Sequence, residues 1–275
     1  MTTLAAASSG VRIAWERRGS GPPLLLIHGL GYARWGWEPV VDELADVHEV
    51  VLFDNRGIGD SDAPLGPYTA RMLAEDAVSV LDAAGLERAH VLGTSLGGMV
   101  ALQVALDWPE RIDRLVLACT TPGGELSAPM PEQTVRLIQE SPALPREVAM
   151  RRGVENALAP DADPALVERI MEHRLATAQP LAAWLAQAAA GVSFDVWDRV
   201  DEIRAPTLVL AGDLDVVVDP RNSELLAEQI PGARLEVFRG TGHLFFWEEP
   251  ERFVRVVREF LKTTGRQARR QELAQ

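Results

Sequence analysis

The stretch 89–99 constrains this chain most, because a short apolar run there ends in Gly-Thr-Ser-Leu-Gly at 93–97 and passes directly into a helical pattern. This order predicts a strand, a tight turn and a helix, with Ser95 at the apex of the turn. The two glycines allow the strand and the helix to approach each other closely, so the turn can expose the serine hydroxyl. An ordinary glycine-rich loop is the alternative, since a serine becomes a good nucleophile only with a base and an orienting acid.

Short apolar runs alternate with helical patterns along most of the chain. Such runs indicate strands buried on both faces, so we expect an α/β fold whose mostly parallel sheet is covered by helices on both faces. The strand patterns stop after residue 120 and return at 207, and prolines separate short helical runs in between. We predict a core formed by residues 1–122 and 200–275, a helical cap inserted at 123–199, and a frayed tail at 264–275.

The composition restricts the class of partner. The chain has 275 residues and a formal net charge of -13, which argues against nucleic acid or an anionic membrane surface as the main partner. Its first residues lack an export signal and no apolar run is long enough to span a bilayer, so we expect a cytoplasmic protein. The single cysteine, Cys119, is expected to be buried filler. The sequence predicts no metal and no cofactor, although a calcium site in the acidic turn 54–62 is a weaker alternative to a structural role.

His243 is the best candidate for the base among the five histidines. It follows a predicted strand at 235–238 and therefore lies at the carboxyl edge of the sheet, the edge that also carries Ser95. The other four histidines suit this role less well. His48 and His90 precede strands, His173 lies in the insertion, and His28 suits a structural role in its loop.

Three aspartates follow the predicted strand at 207–211 and compete for the role of the acid. Asp215 lies far enough past the end of the strand to reach across to His243. Asp213 is expected to brace the turn instead, and Asp219 is a more remote third candidate. We therefore predict a Ser95, Asp215 and His243 triad and keep the other two aspartates as alternatives.

A second loop at the same edge completes the predicted site. The apolar run 24–27 breaks into His-Gly-Leu-Gly at 28–31, which can point a backbone N–H into the crevice at the end of the strands. We assign the N–H groups of Leu30 and Leu96 as the pair that binds an oxyanion. Five apolar side chains are expected to line a substrate pocket, although those in the insertion can equally pack it onto the core. They are Trp35, Leu137, Trp184, Trp197 and Leu244. Basic residues of the insertion either steer an anionic substrate or form a solvated surface. They are Arg136, Arg146, Arg151, Arg152, His173 and Arg174.

With these features the chain resembles α/β-hydrolases over nearly its whole length. The residues that carry the resemblance are the ordered Ser95, Asp215 and His243, the loop 28–31, and the Asp-Asn-Arg-Gly-Ile-Gly-Asp-Ser turn at 54–61. Segments 66–69 and 92–100 most resemble 3-oxoadipate enol-lactone hydrolases and related bacterial carboxylesterases. The resemblance implies an α/β-hydrolase fold with a helical cap, and a serine hydrolase that cleaves a carboxylic ester or lactone of a small, largely apolar molecule.

Several other functions remain open on the same residues. Hydrolysis of a carbon–carbon bond, acyl transfer, and cofactor-free perhydrolase or haloperoxidase activity could all use this triad. A ligand receptor that retains the scaffold without catalysis is the alternative of a different class. We expect a small-molecule substrate and either a monomer or a homodimer.

Overall fold

A computed structural model describes residues 3–6 and 10–262. Within these residues, eight strands form one sheet. The strands are β1 (Thr3–Ala6), β2 (Arg12–Gly19), β3 (Pro23–Ile27), β4 (Glu49–Phe53), β5 (Ala89–Thr94), β6 (Ile112–Ala118), β7 (Thr207–Gly212) and β8 (Arg234–Phe238). Their order across the sheet is β1-β2-β4-β3-β5-β6-β7-β8. The pairs β1/β2 and β2/β4 are antiparallel and all other pairs are parallel.

The helices connect these strands. They are α1 (Glu38–Ala45), α2 (Ala70–Ala83), α3 (Leu96–Asp107), α4 (Glu132–Glu140), α5 (Arg146–Asn156), α6 (Pro164–Ala176), α7 (Leu181–Val192), α8 (Arg221–Gln229), α9 (Phe245–Glu248) and α10 (Pro250–Leu261). The carboxyl ends of β3, β5, β6, β7 and β8 lie at one edge of the sheet, because these strands are parallel. Every loop that the sequence suggested for the site follows one of these ends.

The central strands bury both faces of the sheet. In β3, Leu25 and Ile27 belong to the apolar cluster on one face, and Leu24 and Leu26 belong to the cluster on the other. The first cluster includes residues of α2 and α3, and the second includes residues of α1 and α10. This arrangement confirms the prediction of a mostly parallel sheet covered by helices on both faces.

The chain between β6 and β7 contains α4, α5, α6 and α7. The two ends of this insertion meet, because Gly123 and Asp195 form an isolated antiparallel bridge and Val196 N donates to Pro122 O at 2.9 Å. The insertion is also bonded to the core, since Gln187 Nε2 donates to Arg56 O at 2.7 Å. The frayed tail predicted at 264–275 lies outside the described residues.

The acidic turn 54–62 is held together by its own side chains and by a neighbouring arginine. Asp54 Oδ2 accepts from Asp60 N at 3.0 Å, Asp54 Oδ1 accepts from Arg34 Nε at 3.0 Å, and Ser61 Oγ donates to Asp54 O at 2.6 Å. These bonds agree with the structural role inferred for the turn.

Arg56 and Asp76 form a buried ion pair beneath the same turn. Arg56 Nε and Nη2 donate to the two carboxylate oxygens of Asp76 at 2.6 and 2.7 Å. The two side chains are 6% and 0% exposed. A pair with two parallel bonds offsets much of the cost of burying both charges, but removing one member leaves the other charge buried.

Among the described residues, no helix combines the length and apolar character that a membrane crossing requires.

We expect Asp76→Asn to lower the free energy of unfolding by about 3 kcal/mol or more, because the buried guanidinium loses the carboxylate that neutralises it. Urea unfolding followed by circular dichroism measures the change. Asp82→Asn on the same helix is the matched control, because Asp82 pairs with Arg111 at the surface and is 64% exposed. Its cost should not exceed about 1 kcal/mol. Equal costs for the two variants would contradict this account of the buried pair.

Candidate active site

Ser95 lies between β5 and α3 with φ 55° and ψ −122°, a backbone conformation that L-residues rarely adopt. The turn is tight because its glycines have no room for a side chain. A Cβ on Gly97 would lie 2.1 Å from Ile27 O, and a Cβ on Gly93 would lie 2.2 Å from Gly97 O. Ser95 N donates to Ala118 O at 2.9 Å, which fixes the apex against the end of β6. The strand, tight turn and helix predicted around Ser95 are therefore present in the fold.

The loop 28–31 lies directly against this turn. A Cβ on Gly29 would lie 2.9 Å from Ser95 Cβ and 3.4 Å from Ser95 Oγ. Within the described part of the chain, neither Leu30 N nor Leu96 N donates a hydrogen bond to another residue. Leu96 is the first residue of α3, where amide groups have no partner inside the helix and carry the positive end of the helix dipole. Both amides are therefore free to bind an oxygen atom near Ser95.

His243 and Asp215 form the hydrogen-bonded pair on which a base would depend. His243 Nδ1 and Asp215 Oδ2 are 2.7 Å apart, and the two residues are 6% and 5% exposed. Asp215 Oδ1 accepts from Val217 N at 2.8 Å and Val218 N at 3.0 Å, so the carboxylate is fixed on both sides. The alternative acids make other contacts. Asp213 Oδ1 accepts from Gly240 N, and Asp219 pairs with Arg221.

The loop of His243 is held by Glu248, a residue that the sequence analysis did not single out. Glu248 Oε1 accepts from Gly242 N at 2.9 Å, and Glu248 Oε2 accepts from Ala159 N at 3.2 Å. Because Ala159 belongs to the chain between β6 and β7, one carboxylate joins the insertion to the loop that carries the imidazole. A charged residue five positions after a histidine gives no sequence signal for such a contact.

Cys119 follows β6 at the same edge of the sheet and has φ 42°. It is buried, as expected, and its Sγ lies 3.1 Å from Thr94 Oγ1. The sulfur also lies within 4.8 Å of a ring nitrogen of His243 and a carboxylate oxygen of Asp215, so it is part of the site and not only filler. In the described residues these three form the one group placed to hold a metal ion, but the imidazole and the carboxylate already bond to each other.

Ser95 and His243 both lie at this edge of the sheet, after β5 and β8. No hydrogen bond joins Ser95 Oγ to His243 within residues 3–6 and 10–262. Catalytic hydrogen bonds are commonly long in the absence of a substrate and shorten when it binds. The fold therefore brings His243 and Asp215 together and places Ser95 at the same edge of the sheet, where Ser95 N donates to Ala118 O at the end of β6.

The pKa values of the two histidines near the site shift in opposite directions. Burial favours the neutral form of His243, but the Asp215 carboxylate and the Cys119 thiol outweigh it, so the pKa of His243 lies well above the usual 6.5. Burial lowers the pKa of His28 to about 3. His28 Nδ1 accepts from Gly29 N at 2.7 Å, and its ring is stacked on Tyr32 at 4.7 Å. These contacts agree with the structural role inferred for His28.

The five residues expected to line a pocket occupy different places. Trp184 Nε1 is 3.5 Å from the position of a Cβ on Gly31, beside the loop 28–31. Trp35 lines a cavity of about 550 Å³ between the core and α6, and its ring is stacked on His173 at 4.9 Å. Leu137 lines a different cleft on α4, Leu244 is buried in the core, and Trp197 is half-buried at the start of a short turn before β7.

Arg174 on α6 lies over the loop 28–31. A Cβ on Gly31 would lie 2.6 Å from Arg174 Nη2, and the guanidinium carbon is 5.0 Å from the centre of the Tyr32 ring. Among the described residues Arg174 forms no ion pair, whereas Arg151 and Arg152 of the insertion do. A positive charge without a carboxylate partner among the described residues therefore lies beside Gly31 in the loop 28–31.

The alpha/beta hydrolase fold family model matches residues 22–250, which include every residue of this site. The chain belongs to the α/β-hydrolase family. This α/β-hydrolase is 34% identical over 271 residues to the 2-hydroxy-6-oxononadienedioate/2-hydroxy-6-oxononatrienedioate hydrolase of Burkholderia vietnamiensis, with 92% of this chain and 91% of the relative covered.

Two solved structures are similar over almost their whole length. A hydrolase from Pseudomonas aeruginosa superposes with a TM-score of 0.84 and 33% identity, covering 95% of this chain and 98% of the other. The enol-lactonase from Burkholderia xenovorans superposes with a TM-score of 0.83 and 26% identity, covering 94% and 99%. The proteins similar to this α/β-hydrolase therefore include one named as a lactonase and one named as a hydrolase of dioic acids.

We expect NMR titration of the imidazole rings to give His243 a pKa above 6.5 and to show His28 neutral throughout the neutral range. In Asp215→Asn the pKa of His243 should fall, because burial, which favours the neutral imidazole, is then no longer opposed by a carboxylate. Asp213→Asn is the isosteric control on the same loop and should leave the pKa of His243 unchanged. An unchanged value in Asp215→Asn would contradict the assignment of Asp215 as the partner of His243.

Proposed function

We propose that this protein is a serine hydrolase that cleaves a carboxylic ester or lactone of a small molecule. The observation that carries the proposal is the 2.7 Å bond between Asp215 and His243 at the edge of the sheet where Ser95 stands on its strained turn. The free amides of Leu30 and Leu96 beside Ser95 support it, because acyl transfer needs two such donors. An enol-lactonase among similar structures also agrees with this substrate class.

In the proposed reaction His243 takes the proton of Ser95 while Ser95 Oγ attacks the carbonyl carbon. Asp215 holds the imidazole in the tautomer with a proton on Nδ1 and stabilises the imidazolium that forms. The negative charge that develops on the carbonyl oxygen is bound by the Leu30 and Leu96 amides. His243 then gives its proton to the departing alkoxide. Water, deprotonated by the same imidazole, hydrolyses the acyl-enzyme and restores Ser95.

The charges near the site restrict the class of substrate that we propose. The chain as a whole carries a net charge of -13, which repels anions. Arg174 nevertheless places a cation without a carboxylate partner among the described residues beside the loop 28–31, next to Trp184. A guanidinium in such a place binds a carboxylate or an electron-rich carbonyl oxygen of the substrate. We propose that the substrate combines an apolar part with one such group.

Hydrolysis of a carbon–carbon bond is the second candidate. It is favoured by the relative from Burkholderia vietnamiensis, whose named substrates are dioates and so carry the group that Arg174 would bind. The same amides and the same His243–Asp215 pair would serve a carbonyl that lies next to a carbon leaving group. The two candidates differ only in the bond broken.

Labelling with a fluorophosphonate tests the proposal. We expect a covalent adduct at Ser95 and hydrolysis of short-chain p-nitrophenyl esters. Ser95→Ala should abolish labelling and lower kcat by at least about 10⁴-fold. Ser79→Ala is the control, because the Ser79 hydroxyl donates only to Glu75 O within α2. A protein that is not labelled would be a receptor, and turnover of a vinylogous diketone acid without any esterase activity would favour the second candidate.

Arg174→Gln tests the proposed anion contact. For a p-nitrophenyl ester whose acyl chain ends in a carboxylate, kcat/KM should fall about 10- to 100-fold, the range of a hydrogen bond to a charged group. For the neutral ester of the same length it should change by less than about threefold. Arg136→Gln on the exposed side of α4 is the matched control and should change neither value. Equal losses for the two esters would rule out recognition of a carboxylate by Arg174.

A further inference from the structure

The loop that carries Asp215 makes a hydrogen bond to the insertion in addition to the bonds that fix the Asp215 carboxylate itself. Asp215 Oδ1 accepts from the backbone amides of Val217 and Val218, so the position of the carboxylate follows the path of the chain at 216–218. The carbonyl oxygen of Val216 belongs to the same short stretch of backbone. It accepts a hydrogen bond from the hydroxyl of Thr134.

Thr134 lies on α4, in the chain between β6 and β7, and is 6% exposed. Its hydroxyl has a single proton, which it donates to Val216 O. Thr134 Oγ1 in turn accepts from Asn156 Nδ2 at 2.7 Å, and Asn156 Oδ1 accepts from Gln133 Nε2 at 2.9 Å. Because each bond fixes the direction of the next, the Thr134 hydroxyl has one orientation, toward the Asp215 loop.

A second contact joins the same two parts of the fold. Asn222 at the start of α8 is 2% exposed and binds the backbone of Ala128 on both sides. Asn222 Oδ1 accepts from Ala128 N at 2.9 Å, and Asn222 Nδ2 donates to Ala128 O at 3.0 Å. The segment before α4 is thus fixed to the segment after the Asp215 loop. Of these contacts, only that of Thr134 reaches the residue next to the proposed acid.

We infer that Thr134 is a positioning residue for catalysis, which holds the Asp215 carboxylate in line with His243 through the Val216 carbonyl. The inference rests on the proposed function and adds that the insertion sets the geometry of the acid as well as covering the site. A displacement of reacting groups by about 1 Å can cost about 100-fold in rate, so the loss of one such bond is measurable.

The experiment compares Thr134→Val, Thr134→Ser and Thr177→Val. Valine keeps the shape of threonine without the hydroxyl, and serine keeps the hydroxyl. Thr177→Val is the matched control, because the Thr177 hydroxyl donates to His173 O within its own part of the insertion at 2.7 Å. The readouts are kcat and KM for a p-nitrophenyl ester, the rate of fluorophosphonate labelling, the pH dependence of kcat/KM, and the midpoint of thermal unfolding.

We expect Thr134→Val to lower kcat and the labelling rate about tenfold with little change in KM. The rise of kcat/KM with pH should shift to lower pH, because Asp215 opposes the burial that lowers the pKa of His243. Thr134→Ser should restore the rates to within about threefold of the original, since the hydroxyl is retained. Thr177→Val should lower the unfolding midpoint, because it also loses a hydrogen bond, without changing the rates.

Wild-type rates and an unchanged pH profile in Thr134→Val would overturn the inference while leaving the proposed function intact. Equal losses of rate in Thr134→Val and Thr177→Val would also overturn it, because the effect would then be one of general stability. If the original protein were not labelled by the fluorophosphonate, the proposed function would fail first and the inference with it.

Discussion

The site depends on the contact between the start of α3 and the end of β3. A Cβ on Gly97 would lie 2.1 Å from Ile27 O, so the helix can approach the strand this closely only with glycine at that position. The contact places the first amide of the helix, the loop 28–31 and the Ser95 hydroxyl around one point. The strained conformation of Ser95 is retained because β5, β6 and α3 fix the chain on every side.

The sequence allowed much of this arrangement to be predicted. Apolar runs of four or five residues identified the central strands, and the parallel order placed the chain after each of them at one edge. Ser95, Asp215 and Leu30 follow such strands, and His243 follows the parallel edge strand β8, which is why simple position along the chain was informative. We preferred Asp215 to Asp213 only because Asp215 lies farther past the end of its strand and so can reach His243. The 2.7 Å bond between Asp215 and His243 agrees with that preference.

The remaining contacts depend on packing between distant segments. Cys119 follows β6 and could have been placed at the same edge by the same reasoning, but as a small apolar residue it suggested only a place in the core. Arg174 was one of several basic residues in the insertion, and only the packing of α6 over Gly31 distinguishes it. Thr134 and Glu248 act on the backbone of other loops, and no spacing in the sequence marks such bonds.

The neutrality of His28 has a consequence for how the site handles protons. Its ring is enclosed by Tyr32, Trp37 and Phe246. With a pKa of about 3, the imidazole is uncharged at near-neutral pH. An imidazolium there would repel one on His243 through an interior of low polarity. In the proposed reaction His28 would therefore take up no proton, which leaves His243 as the histidine at this edge, within the described part of the chain, whose charge would change.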